Sequence, residues 1–205
     1  MPTTNNDGLK GGVTTTTQPI RRNKNMFWNI LLGIAAILAI LIVVIATRPT
    51  DFRVSRSTKM SARPEAVFAQ VNDFHNWEVW SPWAKMDPNA KSTFEGPSSG
   101  TGAIFRWDGN KDVGAGSMTI LESRPNDLVR IKLDFIRPFA GTNDVKFLLE
   151  PAGNNETAVT WSMAGKNNFM AKAIGLFMDC EKMVGDQYDK GLASIKLIVE
   201  GSPTP

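Results

Sequence analysis

The sequence predicts an α+β domain behind one membrane-spanning helix, with about seven strands and a long C-terminal helix. Three features carry that expectation. Residues 27–46 form an unbroken apolar run, residues 91–164 break into short alternating segments, and a helical apolar period follows to about Glu200.

The apolar run, FWNILLGIAAILAILIVVIA, holds no charge and no proline, and its one polar residue, Asn29, lies near its edge. At about 1.5 Å per residue it makes a helix of about 30 Å, the thickness of a bilayer's hydrocarbon core. The chain then divides into a disordered polar tail (1–26), a transmembrane helix (27–47) and one globular domain (48–205). The tail is rich in Thr, Asn and Gly, with TTTT at 14–17, and cannot offset its ordering entropy by burial.

Basic residues flank the run on both sides: Arg21, Arg22 and Lys24 before it, then Arg48, Arg53, Arg56 and Lys59. The positive-inside rule alone does not decide between them. The tighter N-terminal cluster favours a cytoplasmic N-terminus, hence a single-pass cell-membrane protein with its C-terminal domain on the extracytoplasmic side. A signal peptide cleaved near Val44, Ile45 and Ala46 is the competing reading. The run is longer than the roughly 7–15 residues of a signal-peptide core, which favours the anchor.

Of the 23 basic and 20 acidic residues, four and one respectively precede the run, so the rest of the chain is neutral. A neutral domain without a basic stripe lacks the electrostatic footprint for phosphate backbones, and nucleic acid is excluded as a partner. One cysteine, Cys180, allows no internal disulfide framework, and one histidine beside it gives no zinc-type ligand set. No metal and no cofactor is expected.

Each element has a local reason. FRVSRSTKM (52–60) alternates as an opening strand. Pro64 and Glu65 mark a helix start that sets Val67, Phe68 and Val71 on one face, and a short helix or turn carries FHNWEVWSPW (74–83). Strands follow at 91–95, 102–108, 114–123, 127–136, 142–151 and 156–164, joined by short turns, so neighbours run antiparallel. Val129, Ile131, Leu133 and Phe135 alternate with Arg130, Lys132 and Asp134; Val145, Phe147 and Leu149 alternate with Asp144, Lys146 and Glu150. Asn167 and Asn168 offer a cap for the last helix. Its apolar face runs through Ala173, Phe177, Cys180, Val184, Tyr188, Leu192, Ile195 and Val199. Gly175, Gly185 and Gly191 interrupt it, and a kink near Gly185 is expected.

The segment ARPEAVFAQVNDFHNWEVWSPWAKMDP (62–88) resembles the opening of the SRPBCC (START-like) superfamily, in its polyketide cyclase/dehydrase branch. GLFMDCEKMVGDQYDKGLASIKLIVE (175–200) resembles that branch's final helix, and GTGAIFRWDGN (100–110) with VGAGSMTILESRPNDLVRIKLDF (113–135) its middle strands. The Trp-Ser-Pro-Trp and Lys-Met-Val-Gly stretches carry most of the specificity. The resemblance implies the helix-grip fold, a curved antiparallel sheet wrapped around the long C-terminal helix with a cavity between them. It supplies no catalytic motif to carry over.

If that cavity exists, the bulky apolar residues are its expected wall: Trp80, Trp83, Phe105, Trp107 and Met118, then Phe135, Phe147, Trp161, Phe177 and Tyr188. Each could equally be plain core. Catalytic candidates are sparse. His75 could act as a base, but no Ser or Cys stands at a triad spacing, and a surface turn beside the tryptophans explains it better. Glu122 shares parity with Met118 and Ile120 and is the one strand carboxylate that alternation turns inward. The charges of Arg106, Asp134 and Lys146 belong on solvated faces. The pairs Gly100/Gly102 and Gly114/Gly116 precede no helix and read as turn residues rather than a phosphate loop.

The expected function is a membrane-anchored module that holds a hydrophobic small molecule or lipid between sheet and helix. An enzyme of cyclase or dehydratase type in the same cavity is one alternative. An envelope scaffold docking through an exposed Trp77/Trp80/Trp83 cluster is the other.

Overall fold

A computed structural model describes residues 24–201. The chain falls into two units that part between Val43 and Val44. The first is carried by helix α1 (Lys24–Thr47), whose side chains from Asn25 to Val44 are all exposed. An apolar helix with no buried face calls for a non-aqueous surrounding. By length and composition it can cross a membrane, and a signal sequence would look the same. Of the expected tail, residues 1–23 lie outside the described residues; Lys24, Asn25 and Met26 open the helix.

The second unit runs β1 (Asp51–Met60), α2 (Pro64–Asn72), a 3₁₀ turn (Phe74–Asn76), α3 (Trp77–Trp80) and α4 (Pro82–Met86). Six strands follow: β2 (Lys91–Glu95), β3 (Ile104–Asp108), β4 (Ala115–Arg124), β5 (Leu128–Arg137), β6 (Gly141–Gly153) and β7 (Glu156–Lys166). Helices α5 (Phe169–Ile174) and α6 (Cys180–Val199) end it. The sheet is antiparallel throughout, in the order β1-β7-β6-β5-β4-β3-β2. Each strand lies within two residues of its expected bounds. This is the α+β helix-grip fold.

Alternation assigns the two faces of the sheet. Val129, Ile131, Val145, Phe147, Leu149 and Val159 are buried on the helix side. The opposite face carries the ion pairs Arg130–Asp144 (2.7 Å), Lys146–Asp144 (3.2 Å) and Lys132–Asp134 (2.9 Å). Burial alone would raise the Asp144 carboxyl, but hydrogen bonds from Arg130 and Lys146 outweigh it and hold the group below the ordinary carboxylate range. Arg106 is likewise paired on the surface, with Glu95 at 2.8 Å. These charges are solvated, as their parity implies.

The last helix differs from its sequence reading. It breaks at residues 175–179, not near Gly185. Gly175 caps α5, and Asp179 starts a new helix by accepting a hydrogen bond from the Lys182 N–H at 2.8 Å. The break leaves Phe177 and Cys180 exposed, although the apolar period had placed them on the buried face. α6 then passes through Gly185 and Gly191 unbroken, because both glycines are contact points. The Arg56 guanidinium of β1 lies against Gly185, and Arg56 pairs with Asp189 at 3.2 Å. The edge of Trp161 lies against Gly191.

Two outcomes check this architecture. Removing residues 1–47 leaves a soluble, monodisperse domain by size-exclusion chromatography; aggregation would overturn the boundary at residue 48. A Cβ at residue 191 would sit 2.7 Å from Trp161 Cζ3, inside a packed stack. Gly191→Ala therefore destabilises the domain in urea by about 1–2 kcal/mol despite its gain in helix propensity. Gly185→Ala meets only the end of the flexible Arg56 and comes out near neutral.

Candidate functional site

Between the sheet and α6 lies a cavity of about 500 Å³. Its floor is Met118, Leu133, Phe135, Val145, Trp161 and Met163, the inward-facing positions of β4 to β7. Phe105 and Trp107 extend the floor along β3, and Trp83 of α4 and Tyr188 of α6 stand over it. The lining is predominantly apolar and aromatic, as small-molecule cavities are.

The wall is built on Trp161. Its ring lies between Tyr188, at 3.9 Å and 8°, and Phe147, at 4.7 Å and 28°. Trp77, Trp80 and Trp83 meet it edge-on at 6.2, 5.6 and 5.9 Å. Offset stacking and edge-to-face contacts each add about 0.5–1.5 kcal/mol beyond the area they bury. Trp77 and Trp80 donate Nε1–H to the Val71 and Gln70 carbonyls, whereas Trp161 Nε1 is buried without an oxygen or nitrogen partner. Such an orphan donor costs about 1–3 kcal/mol, which the surrounding ring contacts must offset. Farther along, Trp107 lies over Gly116, where a Cβ would come within 2.6 Å of its ring. Gly116 is thus a packing glycine within β4, while Gly100, Gly102 and Gly114 do occupy turns at positive φ.

Of the ten residues expected in the wall, seven line this cavity: Trp83, Phe105, Trp107 and Met118, with Phe135, Trp161 and Tyr188. Three do not. Trp80 and Phe147 are fully buried behind the wall, and Phe177 is 83% exposed on the segment between α5 and α6. Leu133, Val145 and Met163 also line the cavity, and strand parity could have nominated them alongside Phe135 and Trp161.

Neither catalytic candidate reaches the cavity. Leu121 forms a bulge in β4, so Ile120 pairs with Ile131 but Glu122 pairs with Arg130 on the outer face. The bulge reverses the parity that turned Glu122 inward, and its carboxylate bonds Arg124 at 3.3 Å instead. His75 is exposed, stacks on Phe94 at 4.1 Å, and holds Asp73 at 2.7 Å through Nδ1. Of the tryptophan cluster read as a docking surface, Trp77 and Trp80 are buried and Trp83 is half-buried against the cavity.

The titratable groups that do line the cavity are Glu78, Asp87, Asp112 and Tyr188. The three carboxylates come from α3, the segment after α4 and the β3–β4 turn, a convergence with no linear signal. Asp87 accepts backbone N–H bonds from Asn110 (2.7 Å) and Asn89 (3.2 Å), so it also ties two loops together. No lysine, arginine or histidine lines the cavity, and no metal-like group of three or more His, Cys, Asp or Glu occurs among the described residues.

Residues 51–200 match the family described as "Polyketide cyclase / dehydrase and lipid transport". The chain belongs to that family. No curated protein matches it. Among solved structures, jhp0584 from Helicobacter pylori is similar at 13% identity and TM-score 0.56, over 73% of this chain and 89% of that one. MLL2253 from Mesorhizobium loti is similar at 15% identity and TM-score 0.54 (74% and 99%). Major latex-like protein 151 from Panax ginseng also gives 15% identity, with TM-score 0.53 (74% and 99%). At such identities the likeness shows the fold alone. Membership in the polyketide cyclase/dehydrase and lipid transport family thus brings a ligand-binding scaffold, and the chemistry must be argued from the cavity itself.

Burial pushes the Tyr188 phenol above its ordinary value of 10.0. The folded state then holds that proton more tightly than the unfolded chain does, so this contribution to stability is complete below about pH 10 and falls as pH rises above it. Tyr188 is the only tyrosine. Ultraviolet titration of the folded protein therefore shows no tyrosinate at pH 10, and the signal emerges only with alkaline unfolding. A normal titration curve would place the phenol in water.

Proposed function

We propose that this chain is a membrane-anchored binding module that holds a hydrophobic small molecule or lipid in the cavity between sheet and α6. The supporting observation is the cavity itself, about 500 Å³ lined by Trp, Phe, Met, Leu and Val with few polar groups. Its polar groups add a charge rule. Glu78, Asp87 and Asp112 disfavour an anionic headgroup and leave neutral or cationic amphiphiles as the preferred class. α1 anchors the module, and the basic cluster Arg21, Arg22 and Lys24 favours an extracytoplasmic domain. Anchoring suits the cargo, since an apolar ligand concentrates in the same bilayer.

A second reading is a cyclase- or dehydratase-like enzyme working in the same cavity. The three carboxylates favour it, as the groups able to move a proton beside a bound ligand.

Native mass spectrometry of the chain purified from its membrane, followed by organic extraction, decides between occupant and empty cavity. A co-purifying neutral or cationic apolar molecule supports the binding module; its conversion during incubation would favour the enzyme. Met118→Trp fills cavity space and weakens uptake of a neutral apolar probe about ten-fold. His75→Ala and Glu122→Gln, both outside the cavity, leave uptake unchanged. Equal losses in all three variants would overturn this location of the site.

A further inference from the structure

We propose that the end of the domain where Asp112, Pro138 and Val184 line the cavity docks on the lipid bilayer through a rim of exposed apolar side chains. This rests on the reading of the cavity as a ligand site and of α1 as an anchor. Strand register defines that end. Asp51 pairs with Lys166, Gly165 with Asn143, Phe135 with Gly141, and Arg137 with Ala115. The start of β1, the exit of β7 into α5, the β5–β6 turn and the β3–β4 turn therefore share one edge of the sheet.

Exposed apolar side chains gather there. Ile136 and Phe139 flank the β5–β6 turn, and Phe169, Phe177, Met178 and Met183 follow from α5 to the first turn of α6. Their exposures run from 48% to 83%, far above what a water-facing surface needs. The turns at the opposite edge carry Ser98, Ser99, Asn126, Asn154 and Asn155 instead. The helix break that takes Phe177 out of the core is what puts it on this rim. Asp112, Pro138 and Val184 line the cavity at the same end.

Connectivity names the occupant. Arg48, Pro49 and Thr50 alone separate the last residue of α1, Thr47, from the first of β1, Asp51. Fully extended, three residues reach about 10 Å. The Thr50 carbonyl accepts a hydrogen bond from the Asn167 N–H at 2.7 Å, which ties this linker to the segment that leads into α5. In a chain anchored through α1, the start of β1 is thus held within about 10 Å of the end of that helix, and this edge of the sheet begins there. Apolar side chains held there enter the boundary between headgroups and acyl chains. A ligand can then move between bilayer and cavity without crossing water.

The chain supplies its own reporter. Cys180, its only cysteine, is exposed and sits between Met178 and Met183. The full chain, labelled at Cys180 with an environment-sensitive fluorophore, is incorporated into phosphatidylcholine liposomes, floated, and compared with and without doxyl-labelled lipid. Roughly half the emission is lost at Cys180 if the rim lies in the interface. A label at Ser98→Cys, in a Cys180→Ser background, stays unquenched. Phe139→Ser/Phe177→Ser/Met178→Ser, still labelled at Cys180, floats but escapes quenching; all three side chains are exposed, so the fold tolerates the change. A chain that floats with Cys180 unquenched, or with both positions quenched alike, overturns the rim and leaves the anchor standing. A chain that does not float overturns the anchor and the rim together. Neither result alters the mass-spectrometric test of the cavity.

Discussion

The stacking of Trp161 between Phe147 and Tyr188 is the contact on which the domain depends. Phe147 and Trp161 face each other across the β6–β7 pair, and Tyr188 comes from α6, so one stack joins sheet to helix. Gly191 lets α6 approach the same ring, and the flexible Arg56 side chain of β1 rests against Gly185. The ring stack holds one side of the helix down. On the other side the sheet continues through β4 and β3, which α2 and the 3₁₀ turn touch through Asn72–Ser123 and Phe74–Phe105, and the cavity lies over Met118, Phe105 and Trp107.

Every strong electrostatic partnership in the domain lies outside that space. Arg130 and Lys146 share Asp144, and Lys132 pairs with Asp134, on the outer face of the sheet, where water screens them and each pair contributes little. The cavity keeps apolar surface, one buried phenol and a few carboxylates. Selectivity there must come from shape, apolar area and the exclusion of negative charge. That profile supports the proposed binding module, and the carboxylates are what the enzyme reading rests on.

A cavity anchored as proposed faces a transfer problem, because a hydrophobic cargo leaves a membrane slowly through water. On that proposal, a three-residue linker between α1 and β1 and the apolar side chains proposed to dock would shorten the path. The same residues would be a liability on a freely diffusing protein, since exposed Phe and Met surfaces associate.

Much of this was legible in the chain. Period-two alternation placed seven strands and assigned the inward faces of β5 and β6, because a residue's side of a sheet depends only on its neighbours until a bulge intervenes. At Leu121 a bulge does intervene, and nothing local announces it; Glu122 reads as inward by counting and is outward in space. Period alone also carried the last helix past Gly175, since the apolar spacing of Phe177 continues a pattern the backbone has already abandoned. By itself the sequence determined the membrane-compatible helix, the fold class and the apolar inventory, all of which follow from short-range patterning and burial. Only the tertiary structure decided which aromatics are core and which face the cavity, that three carboxylates from separate segments line it, and that the helix break and the start of β1 lie at one edge of the sheet. Those depend on the register and packing of residues far apart in the chain, where one bulge or one capped turn redirects everything downstream.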